Sequence, residues 1–357
     1  MILDPILGIF SHDLAIDLGT ANTLVYVSGK GIVVKEPSVV ARHRKTKKIL
    51  VIGSEAKKML GKTPEMIEAF RPLKHGVISD FDAAYAMLRH YILHTHQYPR
   101  MQVGNPKTWF SKMPRPRVII GIPSGVTEVE RRAVWEAALE AGAREAYLLE
   151  EPMASAIGLG LPVETSTGSM VVDIGGGTTE IAVISLGGIV VDRSIRIAGD
   201  DMNEAVVGHV RLKHSLLIGE LTAEEVKHTI GSAYPVGEES STVVRGRSIE
   251  TGLPKSVRLT SGEIREALSM VTNQIIDHIK DIIEEVPPEL VGDIVEHGIH
   301  LAGGGSLLKG IDKKIAEQIK IPVVHTKDSQ VSVVRGAAHV LQNPRLLDKV
   351  KITGGLS

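Results

Sequence analysis

Two short glycine-rich segments carry the residue types with which proteins bind phosphate. One reads DLAIDLGTANTLVYV from Asp13, and the other reads MVVDIGGGTTEIAVI from Met170. Glycine lets a backbone approach an anion closely, and successive backbone N–H groups can point into one concavity. We predict a strand, a turn and a returning strand in each, at residues 15–17, 19–22 and 23–27 of the first copy. A plain tight turn would explain either segment taken alone.

The two segments align without a gap, which indicates an internal duplication. Asp17 aligns with Asp173 and Gly19 with Gly175, and both pairs are 156 residues apart. An acidic residue directly before such a turn would repel a bare phosphate, but it fits a hydrated Mg²⁺ that bridges phosphates. We therefore predict paired phosphate-binding turns, with Asp17 and Asp173 positioning Mg²⁺ through water.

A third glycine cluster reads GIHLAGGGSLL. Residues 299–302 predict a buried strand, and Ser306 predicts the N-cap of a helix that follows. The turn between them consists of Gly303, Gly304 and Gly305. A helix N-terminus beside bare backbone can bind a ribose or α-phosphate oxygen, although a turn with packing glycines is the alternative. The cluster is not a G-x-G-x-x-G fingerprint, and the chain has no G-x-x-x-x-G-K-[ST] loop, which excludes the P-loop class.

Length and composition limit the chemistry that these turns can serve. The chain has 357 residues, which predicts two domains, and its 43% hydrophobic and 23% charged residues are typical of a soluble globular protein. A net charge of −1 does not favour nucleic acid as a partner. The absence of cysteine excludes disulfides, thiol catalysis and cysteine-ligated metals, and no apolar run is long enough to span a bilayer.

The glycine-rich turns occur in order with EEPMASAIG, LAGGGSLLKG and VVRGAAHVL. This pattern resembles the actin, heat-shock chaperone and sugar-kinase superfamily of ATPases. The likeness to the MreB family of bacterial actins is much greater. It rests on IDLGTANTLVYVSGKGIVVKEPSVVA, MLGKTPEMIEAFRPLKHGVISDF, PSGVTEVERRA, GSMVVDIGGGTTEIAVISLGGIV, IGELTAEEVKHTIG and PPELVGDIVEHGIHLAGGG, and it covers nearly the whole chain.

The resemblance implies an α/β protein with the actin-like ATPase fold. Two duplicated domains would each contain a mixed β-sheet flanked by helices and a smaller subdomain, with ATP and Mg²⁺ in the cleft between the domains. Residues 1–155 and 327–357 would form domain I, with its small subdomain at about 33–75. Residues 156–326 would form domain II, with its small subdomain at about 192–258.

The resemblance also assigns roles to individual residues. Glu151, at the start of EPMASAIG, would orient the water that attacks ATP, and Thr178 would help to hold that water. Glu224 and Lys227 would contact the adenosine, although an ordinary ion pair between residues three apart is the alternative. The third glycine cluster, Gly303 to Ser306, would complete the adenosine side. The residues of the two phosphate loops would be Ala21, Asn22, Thr23, Gly175, Gly176 and Gly177.

Two segments are candidates for membrane contact. The N-terminus does not read as a secretory signal, but its apolar residues fall at helical spacing, as in an amphipathic helix on a bilayer or a segment docked on the chain's own core. These residues are Ile2, Leu3, Ile6, Leu7 and Phe10. In the Pro- and Lys/Arg-rich residues 102–117, Trp109 and Phe110 lie among cations, which favours contact with anionic headgroups over aromatics folded back on the domain.

The family resemblance implies a filament-forming protein, with filaments typically paired antiparallel on the inner face of the plasma membrane. It would hydrolyse ATP slowly, organise cell-wall synthesis and maintain rod shape. Implied partners are MreC, MreD, RodZ and the wall-elongation machinery. A small-molecule kinase of the same superfamily is the alternative, although no motif for an acceptor pocket is evident. A chaperone-type ATPase and a plasmid-segregating actin are less favoured, the first because no peptide-binding region follows and the second because of the membrane-directed segments.

Overall fold

The computed structural model describes residues 13–95, 116–235, 237–326 and 328–352. The chain divides into two compact units, which we call unit 1 (Met1–Gly158 with Val333–Ser357) and unit 2 (Leu159–Ser332). Within the described ranges, no helix combines the length and the apolar character that crossing a bilayer requires.

Unit 1 contains an alternation of strands and helices, and its described strands form a large five-stranded sheet, a small three-stranded sheet and a two-stranded sheet of β7 and β8. Its elements up to residue 158 are β1 (Leu14–Leu18), β2 (Asn22–Val27), β3 (Gly31–Pro37), β4 (Val40–His43), β5 (Ile49–Ile52), α1 (Ser54–Met59), β6 (Ile67–Phe70), β7 (Leu73–Lys74), β8 (Val77–Ile78), α2 (Phe81–Thr95), β9 (Arg117–Ile122), α3 (Glu128–Glu140), β10 (Glu145–Glu150) and α4 (Glu151–Gly158).

Unit 2 follows the same plan. Its elements are β11 (Ser169–Ile174), β12 (Thr179–Ser185), β13 (Gly188–Ile195), α5 (Gly199–His214), β14 (Leu216–Leu217), α6 (Glu220–Ile230), β15 (Ser241–Ser248), β16 (Pro254–Thr260), α7 (Ser261–Glu285), α8 (Pro288–His297), β17 (Ile299–Ala302), α9 (Ile311–Ile319) and β18 (Val323–His325). The chain then continues through α10 (Ser332–Gln342) and α11 (Pro344–Val350).

The large sheets of the two units have the same topology. Their strand orders are β3-β2-β1-β9-β10 and β13-β12-β11-β17-β18. In each sheet the second strand is antiparallel to both of its neighbours, and the last two strands run parallel to the central strand. The central strand of each, β1 and β11, is buried throughout, as expected of a strand covered on both faces.

The duplication extends to the pairing register. Leu18 pairs with Thr23 in unit 1, and Ile174 pairs with Thr179 in unit 2. Both residues of the second pair lie 156 positions after those of the first. The repeat inferred from the sequence is therefore a repeat of backbone structure.

Each large sheet packs against helices and connects to a small sheet. In unit 1, α2 and α3 cover the large sheet, with Leu88 and Ile92 of α2 fully or almost fully buried. In unit 2 the long helix α7 buries Ile275 and Ile279 in the same way. The small sheets have the orders β5-β4-β6 and β14-β15-β16.

Candidate functional site

The first hairpin consists of β1, the turn at residues 19–21 and β2, as the sequence predicted. Glycine is required at the start of this turn. A Cβ on Gly19 would lie 2.8 Å from the carbonyl oxygen of Asn22, closer than real Cβ contacts allow. Ala21 precedes β2, and Asn22 and Thr23 are its first two residues. The predicted first phosphate loop therefore follows the carboxyl end of the central strand.

Ser38, which follows β3, forms hydrogen bonds with the turn of the first hairpin. Its Oγ donates a hydrogen bond to the carbonyl oxygen of Gly19 at 2.5 Å. The same Oγ lies 2.9 Å from the hydroxyl of Thr23, and the Ser38 N–H donates to the carbonyl oxygen of Ala21 at 3.0 Å. Two carbonyl groups of the turn are therefore held by one buried residue.

Residues beyond the small sheet also contact the first hairpin. The buried Arg71 places its Nη1 3.5 Å from the carbonyl oxygen of Ala21. The Gly76 N–H donates to the Thr20 hydroxyl at 3.2 Å. Together these contacts tie the turn to the segment between β6 and β8.

The second hairpin consists of β11, the turn at residues 175–178 and β12, again as predicted. The Gly175 N–H donates to the carbonyl oxygen of Thr178 at 2.9 Å, and a Cβ on Gly175 would lie 3.0 Å from that same oxygen. An added Cβ would therefore approach the equivalent carbonyl oxygen in both hairpins, more closely at Gly19 than at Gly175. Gly176 and Gly177 form the tip of this turn.

The first residues of α5 support the second hairpin. The Gly199 N–H donates to the carbonyl oxygen of Gly175 at 3.2 Å, and the Asp200 N–H donates to that of Gly176 at 2.7 Å. Lys227 on α6 donates from Nζ to the carbonyl oxygen of Gly199 at 2.7 Å. Lys227, a predicted adenosine contact, therefore binds Gly199, which is itself hydrogen-bonded to the second hairpin. Glu224 is half-buried one turn earlier on the same helix.

Asp17 and Asp173 occupy equivalent positions in the two central strands. They are 9% and 6% exposed, respectively. Burial of a carboxylate is unfavourable unless a cation or hydrogen-bond donors compensate for the lost hydration. Carboxylates at this position are suitable oxygen ligands for a hydrated Mg²⁺. Among the residues that the structure describes, no group of three or more His, Asp or Glu side chains is arranged to hold a metal.

The third turn (residues 303–305) follows β17 and wraps over the end of β11. Gly303 has φ +78°, and a Cβ there would lie 2.3 Å from Oδ1 of Asp173 and 2.3 Å from the carbonyl oxygen of Ile174. β17 runs parallel to β11, with Ala302 opposite Asp173, so the turn and the carboxylate lie at one edge of the sheet. Glycine at this position therefore lets the third turn pack directly against the end of β11.

The prediction that Ser306 caps a helix is wrong. Ser306 lies in the middle of a 3₁₀ turn, Gly305–Leu307, and α9 begins later with Gly310 as its N-cap residue. The Ser306 hydroxyl donates back to the carbonyl oxygen of Gly303 at 2.7 Å and lies 3.0 Å from the Ser329 hydroxyl. The side chain therefore closes the third turn, which is why it does not cap a helix.

Glu151 is the first residue of α4 and follows the last residue of β10. Because β1, β9 and β10 are parallel, Asp17 and Glu151 lie at the same edge of the sheet. Gly121 on β9 lies beside the Glu151 side chain, since a Cβ there would be at the ordinary contact distance of 3.6 Å from its Cγ, and it would lie 2.9 Å from Cγ1 of Val333. The neighbouring Glu150 lies 3.9 Å from Nη2 of Arg131. In unit 2, the predicted catalytic residue Thr178 is buried at the end of the second turn.

Sequence reasoning missed several residues at these turns. Ser38, Arg71 and Gly199 carry no phosphate-binding signature of their own, and only the fold brings them to the hairpins. Glu180 is 1% exposed on β12, pairs in register with Asp173 and accepts a hydrogen bond from Ser194. An acidic residue next to the apolar run IAVI in the strand TEIAVIS was the signal that could have found it. The seven predicted membrane residues lie outside the described residues: Ile2, Leu3, Ile6, Leu7, Phe10, Trp109 and Phe110.

Two large sheets of one topology, each with a glycine-rich hairpin and a buried aspartate at its central strand, define an actin-like α/β protein. A crystal structure of MreB5 of Spiroplasma citri bound to ADP has a TM-score of 0.86 and 37% identity, covering 95% of this chain and 98% of that one. The MamK double helical filament has a TM-score of 0.76 at 24% identity, which is a likeness of fold.

Sequence comparisons are more specific. The family model described as MreB/Mbl protein matches residues 11–349. The cell shape-determining protein MreB of Escherichia coli is 50% identical over 339 residues, 94% of each chain. The cell shape-determining protein Mbl of Bacillus subtilis is 43% identical over 344 residues, covering 96% of this chain and all of that protein. This chain belongs to the MreB/Mbl family of actin-like, cell shape-determining proteins.

Proposed function

We propose that this chain binds ATP with Mg²⁺ and uses the nucleotide to control its assembly into filaments that maintain rod shape. The single observation that carries the proposal is the pair of glycine-rich hairpins with one register, each with a buried aspartate near the end of its first strand. Crystal structures of Spiroplasma citri MreB5 with ADP and with AMPPNP support nucleotide binding, since that protein is 37% to 38% identical to this one.

The phosphates would be bound mainly by backbone donors. In both hairpins glycine at the turn start permits the tight backbone path, and carbonyl groups of the turn are hydrogen-bonded on the side of Ser38 or of α5. The peptide N–H groups are then directed the opposite way, where an anion can accept them. The proposed phosphate-binding residues are Ala21, Asn22, Thr23, Gly175, Gly176 and Gly177. The proposed adenosine-side residues are Glu224, Lys227, Gly303, Gly304, Gly305 and Ser306.

Asp17 and Asp173 would hold Mg²⁺ through its waters. When bound, the ion supplies positive charge that offsets the charge of the phosphates. Glu151 would accept a hydrogen bond from the attacking water and orient it, and Thr178 would hold the same water with its hydroxyl. Since none of these side chains is placed as a covalent nucleophile, we propose slow hydrolysis by positioning and electrostatics.

Assembly and location are proposed from the family. The filaments would be paired and antiparallel, would lie on the inner face of the plasma membrane and would organise wall synthesis with MreC, MreD, RodZ and the elongation machinery. MamK, with the same fold, forms a double helical filament. Membrane contact would come from the N-terminal segment and from Trp109 and Phe110.

Nucleotide binding and sedimentation test the proposal. The protein should bind a fluorescent ATP analogue and should pellet with ATP more than without nucleotide. Gly19→Ala and Gly175→Ala should each abolish most binding, because the added Cβ meets backbone oxygen. Gly208→Ala, at a helix position with no atom within 4 Å of the added Cβ, is the matched control and should bind normally. A wild-type protein that neither binds ATP nor sediments under any nucleotide or lipid condition would refute the proposal.

Liposome flotation tests the membrane part separately. Changing Trp109 and Phe110 to Ser should weaken binding to anionic vesicles, and additional deletion of residues 1–10 should weaken it further. Unchanged flotation of the combined variant would show that neither segment is an anchor.

A further inference from the structure

Ser38 lies where the large sheet of unit 1 passes into the small sheet. It follows β3, the edge strand of the large sheet, and precedes β4, the central strand of the small one, by two residues. Its side chain is completely buried. Ser38 is therefore placed between the first hairpin on one side and the small sheet on the other.

The hydrogen bonds of Ser38 fix the direction of two peptide groups in the first hairpin. Its Oγ donates to the carbonyl oxygen of Gly19, and its N–H donates to that of Ala21. The peptide group is planar and trans, so each N–H points opposite to the C=O that precedes it. Holding these two carbonyls therefore directs the Thr20 and Asn22 N–H groups away from Ser38.

A chain of hydroxyl groups reinforces this arrangement. The single proton of the Ser38 hydroxyl is used for Gly19, so the Thr23 hydroxyl must be the donor in its contact with Ser38 at 2.9 Å. Thr23 is itself completely buried. Cooperative hydrogen bonds of this kind hold a polar group in one orientation more firmly than a single bond does.

The residues directly after Ser38 belong to the core of the small sheet. Val39 and Ala41 are fully buried and pack with Ala56 of α1. The carbonyl oxygen of Val39 accepts the Gly53 N–H at 2.9 Å, and β4 pairs with both β5 and β6. A shift of Ser38 therefore requires a shift of β4, because no flexible segment separates them.

We propose that Ser38 is a positioning residue that couples phosphate bound at the first hairpin to the position of the small sheet of unit 1. The inference rests on the proposed nucleotide binding and extends it. A nucleoside triphosphate that accepts hydrogen bonds from the hairpin amides fixes their peptide planes. The carbonyls on the other face of those planes then fix Ser38, and Ser38 fixes β4.

The test compares Ser38→Ala with Ser185→Ala. The control also removes a buried hydroxyl that donates to a backbone carbonyl, that of Ser166 at 3.0 Å, at the end of β12 remote from the turn. Ser38→Ala should raise the dissociation constant for ATP about ten-fold, whereas Ser185→Ala should leave it unchanged. Ser38→Cys, of similar volume and with a weak donor, should give an intermediate value.

Hydrogen exchange measures how ATP protects individual amides, and a loss of stability alone would not change the pattern of protection that the proposal predicts. In the wild type, saturating ATP should slow amide exchange both at residues 19–23 and at residues 39–43. In Ser38→Ala, saturating ATP should still slow exchange at residues 19–23 but no longer at 39–43. If Ser38→Ala does not fold, Ser38→Cys serves for the same measurement.

The outcomes separate the two proposals. A wild-type protein that does not bind ATP would overturn the proposed function, and this inference with it. A wild type that binds ATP, together with a Ser38 variant that binds equally well and protects residues 39–43 equally, would overturn the inference alone.

Discussion

The first and second hairpins share sequence pattern, register and buried aspartate, yet different parts of the chain support them. In the first, the carbonyl of Gly19 accepts a hydrogen bond from the side chain of Ser38. In the second, the equivalent carbonyl of Gly175 accepts one from the backbone N–H of Gly199 at the start of α5. The same turn carbonyl accepts a hydrogen bond in both copies, whereas the donor is a side-chain hydroxyl in one and a backbone N–H in the other.

This difference shows which property of a phosphate turn the fold must preserve. The bound carbonyl sets the plane of the peptide group, and the plane sets the direction of the following N–H. A hydroxyl or a helix N-terminus serves equally well as the donor. The consequences for mutation differ, because one side-chain change removes the hydrogen bond to the Gly19 carbonyl in the first hairpin, whereas the Gly175 carbonyl of the second is held by a backbone group.

The largest difference between the two units at these turns is at Gly303, where unit 1 has no equivalent glycine. This residue aligns with Ile122 at the end of β9, since Ala302 and Gly121 are the partners of the two aspartates. Gly303→Ala should destabilise the protein by about 3 kcal/mol, because it combines a positive φ with a Cβ 2.3 Å from Asp173. Urea unfolding and nucleotide titration measure this effect.

Gly304→Ala is the matched control for Gly303. Its added Cβ would have no neighbour nearer than 4.0 Å, and its φ is negative. Little change in stability is expected. Equal losses for the two variants would show that the third turn is not closed over Asp173 as described.

The second largest effect is expected at Glu151, in unit 1. Glu151→Gln should slow phosphate release about 100-fold, in the range of a lost general base, and should leave ATP affinity nearly unchanged. Glu150→Gln is the control, since Glu150 lies towards Arg131. A wild-type rate in Glu151→Gln, measured in single-turnover hydrolysis, would remove the role proposed for this carboxylate.

Substitution of Lys227 tests whether the second hairpin depends on the hydrogen bond that Lys227 donates to the start of α5. Its Nζ holds the carbonyl of Gly199, which shares a peptide plane with the Asp200 N–H that donates to Gly176. Lys227→Met should therefore weaken ATP binding about ten-fold, or about 1.4 kcal/mol. Lys309→Met, which removes a longer and exposed contact to a carbonyl, should have little effect. Equal affinities would mean that α5 holds the second hairpin without Lys227.

Both hairpins could be predicted from the sequence, whereas the residues that form hydrogen bonds with their turns could not. Gly19 and Gly175 are recognisable because the steric demand is local and lies within the turn itself. Ser38 contacts Gly19 across 19 residues of chain, and Gly199 contacts Gly175 across 24, so their roles depend on how the sheets are formed. Ser306 is a different case, because its hydroxyl donates to the carbonyl oxygen of Gly303, only three residues earlier, and α9 begins after it.

Each unit has a cluster of charged side chains, and the two clusters differ in the sign of their central charge. The central residue lies on β4 of the small sheet in unit 1 and in the first turn of α7, just after β16, in unit 2. In unit 1, the cation Arg42 lies between Glu68 and Asp80, 2.5 Å from each. In unit 2, a carboxylate, Glu263, accepts hydrogen bonds from His214 at 2.9 Å and from its own N-cap residue Thr260. Burial would raise the pKa of Glu263, but these hydrogen bonds and that of Lys213 outweigh it and lower the pKa to about 2.

This difference predicts a small and pH-dependent effect, the weakest of the four. Because the folded-state pKa of Glu263 lies below its ordinary value of 4.5, the ionised carboxylate stabilises the fold above that pH, and the contribution is lost as pH falls towards 2. Glu263→Gln should therefore cost about 1 kcal/mol of unfolding free energy at pH 7 and progressively less between pH 5 and 2. Glu266→Gln, whose exposed carboxylate lies 3.9 Å from Lys213, should show almost no loss at any pH. If the cost of Glu263→Gln were constant from pH 7 to 2, its origin would be packing or capping geometry, and the difference in charge between the two clusters would not contribute to stability.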